Sequence, residues 1–157
     1  MPIKKIDLSK YVKPSDYFSF PDGDTEIVLL NGGGLAKMHG MRTTRGFVNL
    51  GVCSEDDKCP QCLKGIEAKN KWIWVIYSPK LDVVRIIEAG VMLGNQICTI
   101  AQQKEIGLEK SLWKVTKTGK SLDTKYTAEH IGIYKIPDDK EDQLDNAKKF
   151  LIKKHYS

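Results

Sequence analysis

Residues 71–88 read KWIWVIYSPKLDVVRIIE. The first seven, KWIWVIY, are β-branched or aromatic except for the leading lysine, a strand composition. Ser78-Pro79-Lys80-Leu81 supplies a turn, and residues 82–88, DVVRIIE, repeat the strand signal. The stretch predicts a β-hairpin at the centre of the chain. Trp72 and Trp74 alternate on one face of its first strand, and Ile73, Val75 and Tyr77 occupy the other. The aliphatic neighbours could fill a core by themselves, which leaves the tryptophan face for a ligand, with core packing the alternative for each of Trp72, Trp74 and Trp113.

Outward from the hairpin, Gly90 opens a helix in which Leu93, Ile97, Ile100 and Ala101 recur at helical spacing until Gly107. Residues 111–117 and 125–136 are strands around Gly119. After Pro137 an amphipathic helix carries Leu144, Ala147, Phe150 and Leu151 on one face. Upstream, residues 26–30 and 47–52 are short strands, with extended chain at 35–39 and a hairpin tip near 41–46. A short helix is expected from Leu63 to about Asn70. Residues 1–24 form a loosely attached, extended arm. Without the cysteine segment the order is β-β-β-α-β-β. That is the order of a five-stranded OB barrel with its helix between strands three and four, and equally of a generic α+β domain.

The chain has 157 residues, a net charge of +5 and 41% hydrophobic residues. This suits one domain with its own core and excludes wholesale disorder. No run suits a signal peptide or a membrane span, so a cytoplasmic location is expected, where clustered cysteines bind metal more often than they pair.

Three of the four cysteines fall within ten positions, as Cys53-SEDDK-Cys59-PQ-Cys62. A C-x₂-C turn lets two thiolates face one ion, and Pro60 presets part of it. A closed structural zinc site needs a fourth ligand. Cys98, His39, His130 and His155 are candidates. His39 is favoured because it ends a predicted strand with 13 residues between it and Cys53, whereas Cys98 lies in an apolar helix. C-P-x-C also occurs in thiol-disulfide oxidoreductases, but Glu55, Asp56 and Asp57 would raise a thiol pKa here. A zinc deaminase needs an H-x-E that the chain lacks. Four protein ligands also leave no position for catalytic water, so the site reads as structural and the protein as non-enzymatic.

Basic residues gather in three places. Residues 110–125 carry net +4, with Lys114, Lys117, Lys120 and Lys125 among them. Lys37, Arg42 and Arg45 form a second group, and Lys69, Lys71, Lys80 and Arg85 flank or sit on the hairpin. Trp72, Trp74, Trp113 and Tyr126 interleave with them. Cations that track phosphates beside rings that stack on bases suit single-stranded nucleic acid.

These features resemble the zinc-containing single-stranded-DNA-binding proteins of tailed bacteriophages, of the T-even helix-destabilising type. The matching residues are His39, Cys53, Cys59-Pro60-x-Cys62, Trp72-Ile-Trp74-Val-Ile-Tyr77 and Gly119-Lys-Ser-Leu-Asp123-Thr124-Lys-Tyr126. They span about 60% of the chain, residues 37–134. The resemblance implies a mainly β (α+β) fold: a five-stranded OB-fold barrel at 25–136, an inserted zinc subdomain at about 39–70, and a C-terminal helix at 137–157. It implies His39, Cys53, Cys59 and Cys62 as zinc ligands and the tryptophan pair with nearby cations as the DNA groove. It further implies sequence-tolerant binding in phage replication, recombination and repair, replication or recombination proteins as further partners, and host cytoplasm as the location. A zinc-ribbon RNA-binding or protein-interaction module is the alternative beside the oxidoreductase.

Overall fold

The computed structural model describes residues 16–44, 46–55, 57–120 and 123–156. The elements run β1 (Gly23–Leu29), β2 (Gly34–Thr43), β3 (Gly46–Val52), α1 (Pro60–Leu63), β4 (Ala68–Ser78), β5 (Val83–Ala89), α2 (Val91–Gln103), β6 (Ser111–Thr118), β7 (Lys125–Ile133) and α3 (Asp138–Tyr156). The fold is mainly β. Its strands form an antiparallel sheet in the order β3-β2-β4-β1-β6-β7, with β5 on the other edge of β4.

The expected hairpin is the axis of this sheet. β4 and β5 pair in register from Trp72 opposite Ala89 to Ser78 opposite Val83. The opposite edge of β4 takes β2 along its first half and β1 along its second. Residues 28–39 therefore follow one edge of β4 as a strand interrupted at Asn31-Gly32-Gly33. Among the described residues the strands number seven rather than five, because this edge is split and β3 joins the sheet. No ladder joins β5 to β7 among the described residues.

Apolar side chains fill both faces of β4. Trp74 and Ile76 join Ile27, Leu29, Ile87, Trp113 and Val115 beneath α2. Val75 and Tyr77 join Val28, Val84 and Ile86 beneath Leu144, Ala147 and Leu151 of α3. Phe150, expected on the buried stripe, is exposed. Gly94 lets α2 approach the sheet, since a Cβ there would run into the Trp72 indole. Gln96 clips the same helix to β7, donating to the Tyr126 carbonyl at 2.8 Å and accepting from the Ala128 amide at 3.1 Å.

The arm is not loose in its described part. Tyr17 bridges Ile86 in parallel, the Phe18 amide donates to the Ile86 carbonyl, and the Ile86 amide donates to Asp16. Buried Asp16 also accepts from Lys154 at 2.7 Å and pairs with His155 at 2.9 Å, which ties the arm to the end of α3. The helix expected from Leu63 to Asn70 is only one turn long and ends at Leu63. Ala68, Lys69 and Asn70 are already strand, because β2 pairs with them.

Candidate metal centre

Three short elements bring the donors together. His39 sits on β2, opposite Gly51 of β3 and Ala68 of β4, at a bulge that follows it. Cys53 follows β3 directly, and its amide donates to the Lys37 carbonyl at 2.7 Å, which fixes the chain as it leaves the sheet. Cys59 caps the single turn of α1, and Cys62 lies within it. Pro60 at the first helical position presets the backbone of this turn.

The four donor atoms lie within 4.8 Å of one another. Cys53 Sγ is 3.8 Å from Cys59 Sγ and 3.5 Å from Cys62 Sγ. His39 Nε2 is 3.3 Å from Cys59 Sγ and 3.4 Å from Cys62 Sγ. A tetrahedral ion with Zn–S about 2.3 Å and Zn–N about 2.0 Å has edges of about 3.5–3.8 Å. The cluster is therefore the size of such a coordination shell, and the expected ligand set fits a metal ion. His39 Nδ1 is buried without a hydrogen-bond partner among the described residues, which leaves Nε2 as the ring atom turned toward the sulfurs.

Electrostatics point the same way. Backbone amides of Cys62 and Ser54 donating to Cys59 Sγ hold that thiol down at about 5. Cys62 is pushed up to about 12 by hydrogen bonding and charge from Cys53 and Cys59. Three crowded thiols do not ionise together unaided, and a divalent cation at their centre removes the conflict. The Glu55 amide, at 3.3 Å from Cys53 Sγ, adds another donor to sulfur. Cys98 stands apart against the α2 core, where burial raises its thiol pKa. His130 packs edge-on to Trp113, and His155 pairs with Asp16.

The expected nucleic-acid residues divide sharply. Trp74 and Trp113 are both 0% exposed and belong to the α2 core, so the free tryptophan face is corrected. The reason is that β4 is covered on both sides. Trp72 is half-buried: it stacks on Trp74 at 5.5 Å and donates to Asn95 Oδ1 at 3.3 Å. Arg85 is buried and donates to the Val84 carbonyl, so it too is corrected. Tyr126 is half-buried against Phe20. Lys37 lies 3.5 Å from Glu55, Lys114 lies 3.1 Å from Glu129, and Lys117 donates to the Phe20 carbonyl. Lys69, Lys80, Lys120 and Lys125 are exposed, and Lys71 is half-buried. Lys69 and Lys71 share a face of β4 with each other and with Met38 of β2, by register. Arg42 lies on β2 opposite Phe47, and Arg45 falls outside the described residues.

Sequence reasoning missed the amides of Ser54 and Glu55, which no side-chain pattern announces. It also missed Asp16, a lone acid in a polar stretch. Among the described residues no helix is long and apolar enough to cross a membrane. Comparison with protein-family models, with curated proteins and with solved structures finds no match.

Proposed function

We propose that the chain is a non-enzymatic, sequence-tolerant single-stranded-DNA-binding protein built on an OB barrel, with a structural zinc held by His39, Cys53, Cys59 and Cys62. The observation that carries this reading is the position of the four-donor cluster within the sheet connectivity. Taking β1 and β2 as one interrupted first strand, the first strand pairs with the second (β4) and the fourth (β6). The second pairs with the third (β5), and the fourth with the fifth (β7). A helix stands between third and fourth. These four ladders are ones an OB sheet would contain, though none joins third to fifth strand among the described residues; they support the reading, with the metal module inserted between first and second strands as the phage resemblance implies.

α3 restricts where a strand of DNA runs. It covers the central part of the β4–β5 outer face, which is the usual OB platform. The end of that face bearing Lys69 and Lys71 lies beyond its apolar stripe, next to the metal module. Phosphate contacts from these lysines, with Lys80, Lys120 and Lys125, supply the affinity; half-buried Trp72 lies on the opposite, α2-side face of β4. Replication or recombination proteins are the further partners of such a protein. A zinc held by these four residues would supply no chemistry to a substrate; it would tie α1 and the ends of β2 and β3 into one unit.

One feature favours thiol-disulfide exchange: the backbone amides of Cys62 and Ser54 that donate to Cys59 Sγ and lower its thiol pKa. Against it, Cys59 is 2% exposed, out of reach of a protein disulfide. The two readings separate on fluorescently labelled oligo-dT at low salt. Zinc-loaded protein that binds it supports the proposal. Zinc-loaded protein that ignores it while reducing a disulfide substrate overturns it.

A further inference from the structure

The four donors differ in access. His39 is 1% exposed, Cys59 2% and Cys53 7%, whereas Cys62 is exposed. A small oxidant therefore meets the cluster at Cys62. Cys53 Sγ lies 3.5 Å from its sulfur. An exposed metal-held sulfur with a second such sulfur beside it is an arrangement that peroxide converts to a disulfide.

We propose that Cys62 is a peroxide-oxidisable modification site that couples oxidation to metal release through a Cys53–Cys62 disulfide. The inference rests on the reading of the cluster as a zinc centre. In the first step Cys62 sulfur attacks one peroxide oxygen. The O–O bond breaks, hydroxide leaves, and Cys62 becomes a sulfenic acid. In the second, Cys53 thiolate attacks Cys62 sulfur, the S–S bond forms, and a second hydroxide leaves. Two thiolates lose two electrons, and one hydrogen peroxide is reduced to two hydroxides, which protons convert to water. His39 and Cys59 alone remain, half of a tetrahedral shell, and zinc departs. A thiol reductant with added zinc reverses the change.

The test begins with the zinc content of the purified full chain carrying Cys98→Ser, which removes the cysteine outside the cluster. Hydrogen peroxide is then added, released zinc is followed with a chromogenic chelator, and disulfides are mapped by peptide mass. The expected result is zinc release in step with a Cys53–Cys62 disulfide, both reversed by reductant and zinc. Cys62→His keeps four donors but removes the accessible sulfur, and slows release about tenfold or more. Protein that contains no zinc overturns the metal reading and this inference with it. Zinc-loaded protein that keeps its metal under peroxide, or that forms a disulfide without Cys62, overturns the inference alone.

Discussion

His39→Ala removes the nitrogen donor of the cluster and leaves three crowded thiols. A structural zinc is worth on the order of 10 kcal/mol to the segment it folds. The variant is expected to lose zinc to a chelator concentration that the parent withstands, with proteolysis in the segment between β2 and β4. Retained stoichiometric zinc would assign the fourth donor elsewhere. Legibility at this scale depended on chemistry. Three thiols and an imidazole at these spacings have few other uses, so the ligand set could be read before any fold. Trp74 and Trp113 could not be read, because a tryptophan looks the same whether a helix or a base covers it. Trp113→Ala is expected to cost about 3–5 kcal/mol in urea unfolding, where a groove residue would cost little. Asp16 is different again. Burial works to raise its pKa, but Lys154 and His155 outweigh that and hold the carboxyl below its ordinary value. Its contribution is thus present above the unfolded value of 3.8 and is lost as pH falls through the lower folded value. Asp16→Asn is expected to flatten the acid limb of stability against pH, with Lys154, His155, Tyr17 and Arg85 as its neighbours. An unchanged acid limb would show that the clasp contributes nothing.

Among elements, β4 and α3 decide which sheet faces are covered. The alternation of Trp72, Ile73, Trp74 and Val75 announces a strand, but an alternating strand of large side chains is consistent with one covered face or two. The amphipathic stripe of α3 was legible in Leu144, Ala147 and Leu151; which sheet face it meets was not, because that depends on contacts far apart in sequence. Ion pairs set its position along the face: Lys140 to Asp82 at 3.0 Å, Glu141 to Lys110 at 2.9 Å, and the Asp16 clasp at the far end. Leu151→Ala is expected to cost about 2–5 kcal/mol. Deleting α3 should therefore unfold the sheet's outer core rather than uncover a better binding face. A truncated chain that stayed folded and bound oligo-dT more tightly would make α3 a cover instead of a structural member. The Gly119 turn also belongs to this scale. Its φ is +81°, and a Cβ would strike the Asp123 carbonyl, so the G-x-x-x-D pattern marks a backbone requirement.

At the scale of the molecule, the +5 charge is an average over unlike regions. Lys110, Lys114 and Lys140 are engaged by acids, whereas Lys69, Lys80, Lys120 and Lys125 stand exposed. The number of cations left for phosphate is modest, and so is the expected salt dependence. With about three or four phosphates neutralised, log affinity should fall against log salt with a slope of about −2 to −3. Since Trp74 and Trp113 are enclosed, labelled DNA reports binding better than protein fluorescence. The most direct measurement is the anisotropy of labelled oligo-dT titrated at low and rising salt with protein whose zinc content is assayed in the same sample. One zinc per chain with salt-sensitive binding of that slope is the expected result. Full zinc occupancy with no binding at low salt would contradict the account.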